Sequence, residues 1–231
     1  MVMVPSLGIN TDFKNFTMLQ INNFSKSYNS KILFNNASFI FERGKIYYIY
    51  GENGVGKTTL FRCILGLEAF QGEIKKGSEK QFCVFDSTPF YLNLSGIDNL
   101  IILSKNKNIK KQILENDIEF LSVRFLEKVK VKNYSLGEKK MLSLILLVLL
   151  KPNIILLDEI LNGLDQGNRK LLIHSLRQLR QHSVILLSGH EKLYMDLGDE
   201  FLIIKNQSLN KVKEKDLGNL FVRPKGDYDV I

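Results

Sequence analysis

Eight consecutive residues, Gly51-Glu52-Asn53-Gly54-Val55-Gly56-Lys57-Thr58, have the spacing GxxxxGK[ST], and each residue type there has a chemical reason. Glycines let successive backbone N–H groups turn inward around phosphate oxygens, and a helix starting at the loop adds the positive end of its dipole. Lys57 has the length to reach the β- and γ-phosphates of a nucleoside triphosphate, and Thr58 offers a hydroxyl to Mg²⁺. Glu52, Asn53 and Val55 fill the variable loop positions and Thr59 follows Thr58, so all are expected at the nucleotide. Far downstream, the apolar residues 154–157 end in Asp158-Glu159. Adjacent carboxylates repel unless a cation lies beside them. Asp158 is expected to hold Mg²⁺ through water, and Glu159 to polarise the water that attacks the γ-phosphate.

For these groups to converge, the loop must join a strand to a helix, and the carboxylates must end a parallel strand nearby. Residues 45–50 are a run rich in aromatic and β-branched side chains just before the loop, and helical spacing follows over 58–67. The second half alternates: an apolar helix over 136–150, a strand over 153–158, a helix over 167–181 and a strand over 183–188. This order predicts an α/β fold with a mainly parallel sheet. Ahead of the loop, apolar residues from Leu19 to Phe41 are broken at Asn29-Ser30 and Asn35-Asn36, which predicts short antiparallel strands. Residues 72–77 read as a turn, 81–86 as a strand and 95–132 as mainly helical. Residues 1–17 fall outside the pattern and read as an N-terminal extension to a domain spanning 18–231.

Further motifs follow in order. Tyr134-Ser135-Leu136-Gly137-Glu138 heads the apolar helix, Leu161-Asn162-Gly163-Leu164-Asp165 follows the carboxylate pair, His190 follows the last of these strands, and Tyr28 precedes the phosphate loop. From residue 18 to about 209 the chain resembles the ATP-binding subunit of ABC transporters. The resemblance implies a P-loop ATPase with a mainly parallel core, an antiparallel β subdomain and a helical subdomain over about 87–140. It implies that Tyr28 stacks on adenine, that Glu159 is the general base, and that His190 contacts the γ-phosphate. It further implies a head-to-tail pair of such domains, each ATP lying on one P-loop and under Ser135 and Gly137 of the other domain, with Asp165 of the family's D-loop also at the nucleotide.

The second domain is expected to be another copy of the chain or a paralogue. A separate transmembrane permease is expected as the partner, with the chain cytoplasmic and peripheral on the inner face of the cell membrane. Residues 88–92, Thr-Pro-Phe-Tyr-Leu, lie where the family receives its membrane subunit; they either form that apolar surface or fill the core between lobes. The signature and the Asn-Gly-Leu-Asp loop are similar to those of the branch that exports drugs, peptide antibiotics or haem. Three departures stand out: Asp86 at a metal position usually held by Gln, Leu136 for the first signature glycine with Glu138 for Gln, and Ile160 for the usual Pro.

The 231 residues are 45% hydrophobic and 24% charged, which suits one globular unit and excludes a disordered chain. The net charge of +8 favours an anionic partner. Ten Lys/Arg against five Asp/Glu fall between Lys105 and Lys140, read as a solvated helical face or as one suited to an anionic bilayer. Nucleic acid is not the expected partner, because the second cassette, long coiled coil or zinc-binding cysteines of ABC ATPases that act on nucleic acid or ribosomes are not visible. A weakly hydrolytic regulatory subunit is the remaining alternative. Cys63 and Cys83 lack disulfide or zinc spacing and are expected to be buried and reduced. Residues 1–10 lack the basic and apolar regions of a signal peptide.

Overall fold

The computed structural model describes residues 18–76, 80–85, 90–115, 118, 120–189, 197–213 and 216. Strands β1 (Met18–Tyr28) and β2 (Lys31–Glu42) pair antiparallel across the expected Asn29-Ser30 turn. The break expected at Asn35-Asn36 is a bulge instead, and β2 runs through it. Asn36 takes φ 53°, which Asn tolerates better than most residues, and its N–H donates to Ser25 Oγ at 2.8 Å. The turn expected over 72–77 is also corrected: Gln71–Lys75 is strand β4, antiparallel to β1. Gly72 permits that pairing, since it sits at φ 101° and a Cβ there would lie 2.3 Å from the Asn23 carbonyl oxygen. The resulting three-stranded sheet, ordered β2-β1-β4, is the antiparallel subdomain.

The second sheet contains β3 (Ile46–Tyr50), β5 (Gln81–Val84), β6 (Ile154–Asp158), β7 (Val184–Gly189), β8 (Glu200–Lys205) and β9 (Ser208–Lys211), in the order β5-β6-β7-β3-β8-β9. All neighbours are parallel except β8 and β9. The central strands are apolar up to the ends that carry Asp158 and Ser188, because both faces are covered. Ile155, Leu157, Ile185, Leu187 and Tyr48 face one core. Alternate residues Ile154, Leu156, Val184, Leu186 and Ile49 face the other. Each such side chain contributes about 1.5–3 kcal/mol when fully buried.

Helix α1 (Lys57–Ile64) packs on the second face with the antiparallel sheet. It stops three residues short of the expected end because the Leu67 N–H folds back to the Arg62 carbonyl at 2.9 Å. The first face carries α2 (Gly96–Ser104), α3 (Ile109–Glu115), α4 (Val123–Lys128), α5 (Leu136–Leu150) and α6 (Gln166–Leu179). Residues 140–147 of α5 are all buried, which explains why this stretch is apolar apart from Lys140 and Ser143.

Two surface expectations are sharpened. Lys140 is 0% exposed and adds nothing to the basic surface of the helical lobe, where Lys110 and Lys111 pair with Glu127 and Glu115. Phe90 is buried, but Tyr91 and Leu92 are 54% and 49% exposed, so only the first of the three fills the core. Buried Asn99 fixes that exposed turn, accepting from the Tyr91 N–H at 2.8 Å and donating to the Tyr91 carbonyl at 3.1 Å. Both cysteines are free and buried, and burial pushes the Cys63 thiol up to about 11.

Candidate functional site

The parallel registers gather the site at one sheet edge. Asp158 of β6 lies opposite Ser188 of β7, and Tyr50 of β3 opposite Gly189. The glycine loop therefore leaves β3 beside the carboxylates that end β6. Gly56 starts α1 at φ 119°, where a Cβ would lie 2.9 Å from the Phe34 ring. A residue with a side chain would be strained at that point and would press on the Phe34 ring of β2.

Lys57 is 5% exposed, and its Nζ donates to the carbonyls of Gly51 at 2.6 Å and Glu52 at 3.1 Å. Burial lowers its pKa, while the carboxylates of Glu159 and Asp158 work in the opposite direction. Phosphate arriving in the loop adds negative charge beside this cation and favours its protonated form.

Thr58 Oγ1 donates to Asp158 Oδ2 at 2.6 Å, and Ser188 Oγ holds the other carboxylate oxygen. Hard oxygens this close suit adjacent positions on a cation that binds oxygen at about 2.0–2.1 Å, as Mg²⁺ does. Among the described residues no group of three or more His, Cys, Asp or Glu side chains could hold a metal. Glu159 stands at φ 48° with its N–H on the Ser188 carbonyl at 3.1 Å, and its Oε2 accepts from Asn162 Nδ2 at 3.0 Å.

These groups line a cleft of about 780 Å³ that includes Tyr28, Asn53, Gly54, Gly56, Lys57, Thr58, Thr59, Asp158 and Glu159. Gly51, Glu52 and Val55 complete the loop beside it. Tyr28 is 44% exposed at the cleft, its hydroxyl bonded to Glu68 and Lys26 Nζ 4.6 Å from its ring centroid. The bond to Glu68, followed by burial, holds its pKa above the ordinary value, so the ring stays neutral.

The cleft also contains Lys31, Leu33, Arg62 and Phe85, which the sequence reading missed. Arg62 was legible, being one helical turn beyond Thr58 and Thr59. Lys31, whose Nζ donates to the Gly54 carbonyl at 3.0 Å, comes from the β1–β2 hairpin and carries no local signal. Asp86 and His190 lie outside the described residues.

Ser135, Gly137 and Asp165 do not line this cleft. Exposed Ser135 caps α5, accepting from the Glu138 N–H at 3.2 Å, while Glu138 Oε2 accepts from the Ser135 N–H at 2.7 Å. A side chain at Gly137 would meet the Gly163 carbonyl oxygen at 3.3 Å, so the signature lies against the 161–165 loop of its own chain. Asp165 caps α6, accepting from the Asn168 N–H at 2.9 Å, and that bond holds its carboxyl below the usual range. Loss of the Ser135 cap in Ser135→Ala is expected to cost about 1 kcal/mol, whereas Ser135→Asp, an equally good cap, should keep the melting temperature. Thermal unfolding of the two variants checks this.

The family described as ABC transporter matches residues 34–162. The lantibiotic transport ATP-binding protein SrtF of Streptococcus pyogenes is 27% identical over 183 residues, 75% of this chain and 80% of that protein. The bacitracin transport ATP-binding protein BcrA of Bacillus licheniformis is 32% identical over 190 residues, 75% of this chain and 62% of that protein. The cytochrome c biogenesis ATP-binding export protein CcmA of Reclinomonas americana is 30% identical over 214 residues, 84% and 96% of the two chains. Among solved structures, an ATP-binding subunit of an ABC transporter aligns with a TM-score of 0.77 at 20% identity, covering 88% of this chain and 93% of that one. A nucleotide-free ATP-binding cassette gives 0.72 at 18% identity, covering 90% and 96%.

Proposed function

This chain belongs to the ABC transporter family of ATP-binding subunits and is an ATPase, and we propose that it powers export through a separate transmembrane permease by closing around ATP with a second ATPase domain. In the simplest assembly that domain is another copy of the chain, and otherwise a paralogue. The observation that carries this reading is the division of the motifs. The P-loop, Asp158 and Glu159 share one cleft, whereas Ser135 and Gly137 stand exposed or half-exposed outside it. A signature that does not reach its own nucleotide is available to another domain's.

In the closed pair, the Ser135 hydroxyl, the Gly137 N–H and the N-terminus of α5 present donors to the γ-phosphate of the partner's ATP. Lys57 binds the β- and γ-phosphates of the chain's own ATP, and Tyr28 stacks on its adenine. Thr58, Asp158 and Asp86 would hold Mg²⁺, which would supply positive charge against the phosphates. Glu159 takes a proton from the attacking water while His190 helps hold that water and the γ-phosphate in line.

Export is supported by relatives named for lantibiotic and bacitracin transport and for cytochrome c biogenesis export. Among the described residues no helix is long and apolar enough to cross a membrane, and in this reading the separate permease supplies the path for cargo. Exposed Tyr91 and Leu92, fixed by Asn99, offer an apolar surface on which a permease helix can dock, with the chain on the cytoplasmic face of the membrane. The test is copurification. A tagged chain expressed in its own cell and extracted in mild detergent should retain a multi-spanning protein, and recovery without any such protein contradicts the transport reading.

A further inference from the structure

We propose that Lys140 is a positioning residue, a buried ammonium on α5 that fixes the turn bearing Glu159 and ties the signature helix to the hydrolytic carboxylate. The inference rests on the reading of Glu159 as general base. Lys140 is 0% exposed, and its Nζ donates to the backbone carbonyls of Asn162 at 2.7 Å and Glu159 at 3.2 Å. Those carbonyls belong to the two ends of one turn, which the Asn162 N–H closes onto the Glu159 carbonyl at 3.1 Å. Glu159 has φ 48°, a conformation that a residue with a side chain keeps only where its surroundings hold it.

The ammonium acts on the base by two routes. One is the main chain of Glu159 itself. The other is Asn162, gripped through its carbonyl, which donates from Nδ2 to Glu159 Oε2 at 3.0 Å. A charge in such a place is costly unless it is hydrogen-bonded, and the neighbouring positions Met141, Leu142 and Leu144 are filled by buried apolar side chains. An apolar residue at 140 would fill the space without that cost, so what Lys140 bonds accounts for its presence.

The same helix is capped by Ser135, about one and a half turns before Lys140, and carries Gly137 in its first turn. A displacement of that terminus on engaging the partner's γ-phosphate is transmitted to the Glu159 turn through the ammonium. Lys140 thereby joins the nucleotide of the partner to the base acting on the chain's own.

The test compares Lys140→Met, Lys140→Gln and Lys140→Arg in the purified full chain, each alone and combined with Glu159→Gln. Misplacing a reacting group by a fraction of an ångström to an ångström costs about 10–100-fold in rate, so Lys140→Met should lower kcat by that factor with KM nearly unchanged. Lys140→Arg should recover most of the rate, and Lys140→Gln should fall between. In the Glu159→Gln background, Lys140→Met should cost nothing further, because the group it positions is gone. An unchanged kcat, a rise in KM alone, or an equal loss in both backgrounds overturns the proposal. If Lys140→Met does not fold, the Arg and Gln variants carry the same comparison. If Glu159→Gln leaves turnover at the wild-type rate, the base assignment falls and Lys140's role with it. If Glu159→Gln abolishes turnover while the Lys140 variants keep theirs, only the Lys140 proposal falls.

Discussion

Exchanging Glu159 for glutamine is expected to lower ATP turnover by about 10²–10⁴-fold, the usual contribution of a general base, while ATP still binds. The amide keeps the size of the carboxylate but cannot accept the water's proton. The hydrogen bonds of the phosphate-binding groups are kept, since Lys57 and Thr58 bond to Gly51, Glu52 and Asp158, although Lys57 loses the Glu159 charge that favours its protonated form. Removing one negative charge beside the γ-phosphate also reduces repulsion, so ATP affinity should hold or rise. The measurement pairs steady-state phosphate release with the rise in melting temperature on adding Mg²⁺ and ATP. Full turnover in the variant would remove Glu159 from the chemistry. Loss of both turnover and binding would mean that it shapes the site.

Lys57→Ala should do the reverse and act on binding. A hydrogen bond to a charged group contributes about 1.5–3 kcal/mol, so losing the Lys57 contact should weaken ATP binding by about 10–150-fold. The nucleotide-free protein should be affected much less. Burial already lowers the pKa of Lys57, so the folded state holds this proton less tightly than the unfolded chain does. Between the lowered value and the ordinary lysine value of about 10.4, the unfolded state binds more protons and stability rises with pH. Removing the cation removes that cost and offsets the lost bonds to Gly51 and Glu52. A melting temperature close to wild type without nucleotide, together with a lost ATP-induced rise, is the expected pattern, and the free protein's stability should lose its upward slope in the alkaline range.

The chemistry was legible in the sequence where it is local. The P-loop, the run that ends at Asp158 and Glu159, and the apolar helix over 136–150 are written in consecutive residues, and their backbone roles follow from residue type. What could not be read depends on partners distant in the chain. Residues 72–77 begin and end in glycine and look like a turn, yet 71–75 become a strand because β1 supplies the hydrogen bonds and Gly72 lets the two backbones approach. Asn35-Asn36 has turn chemistry that the pairing of β2 with β1 turns into a bulge. Lys31 reaches the cleft only because the antiparallel sheet docks on the loop. Lys140 is counted among the surface charges in the sequence, and burial against the Glu159 turn gives it a different part.

Completion of the site by a second ATPase domain, in the simplest assembly another copy of the chain, is tested most directly by mixing two defective variants. Lys57→Ala disables the P-loop. Ser135→Asp keeps the helix cap but sets a carboxylate against the partner's γ-phosphate. In a mixed head-to-tail pair both lesions fall in one site and leave the other intact. Each variant alone should be inactive, and ATP turnover should reappear when they are combined. Turnover that stays at the sum of the separate variants would contradict assembly of the site from two copies.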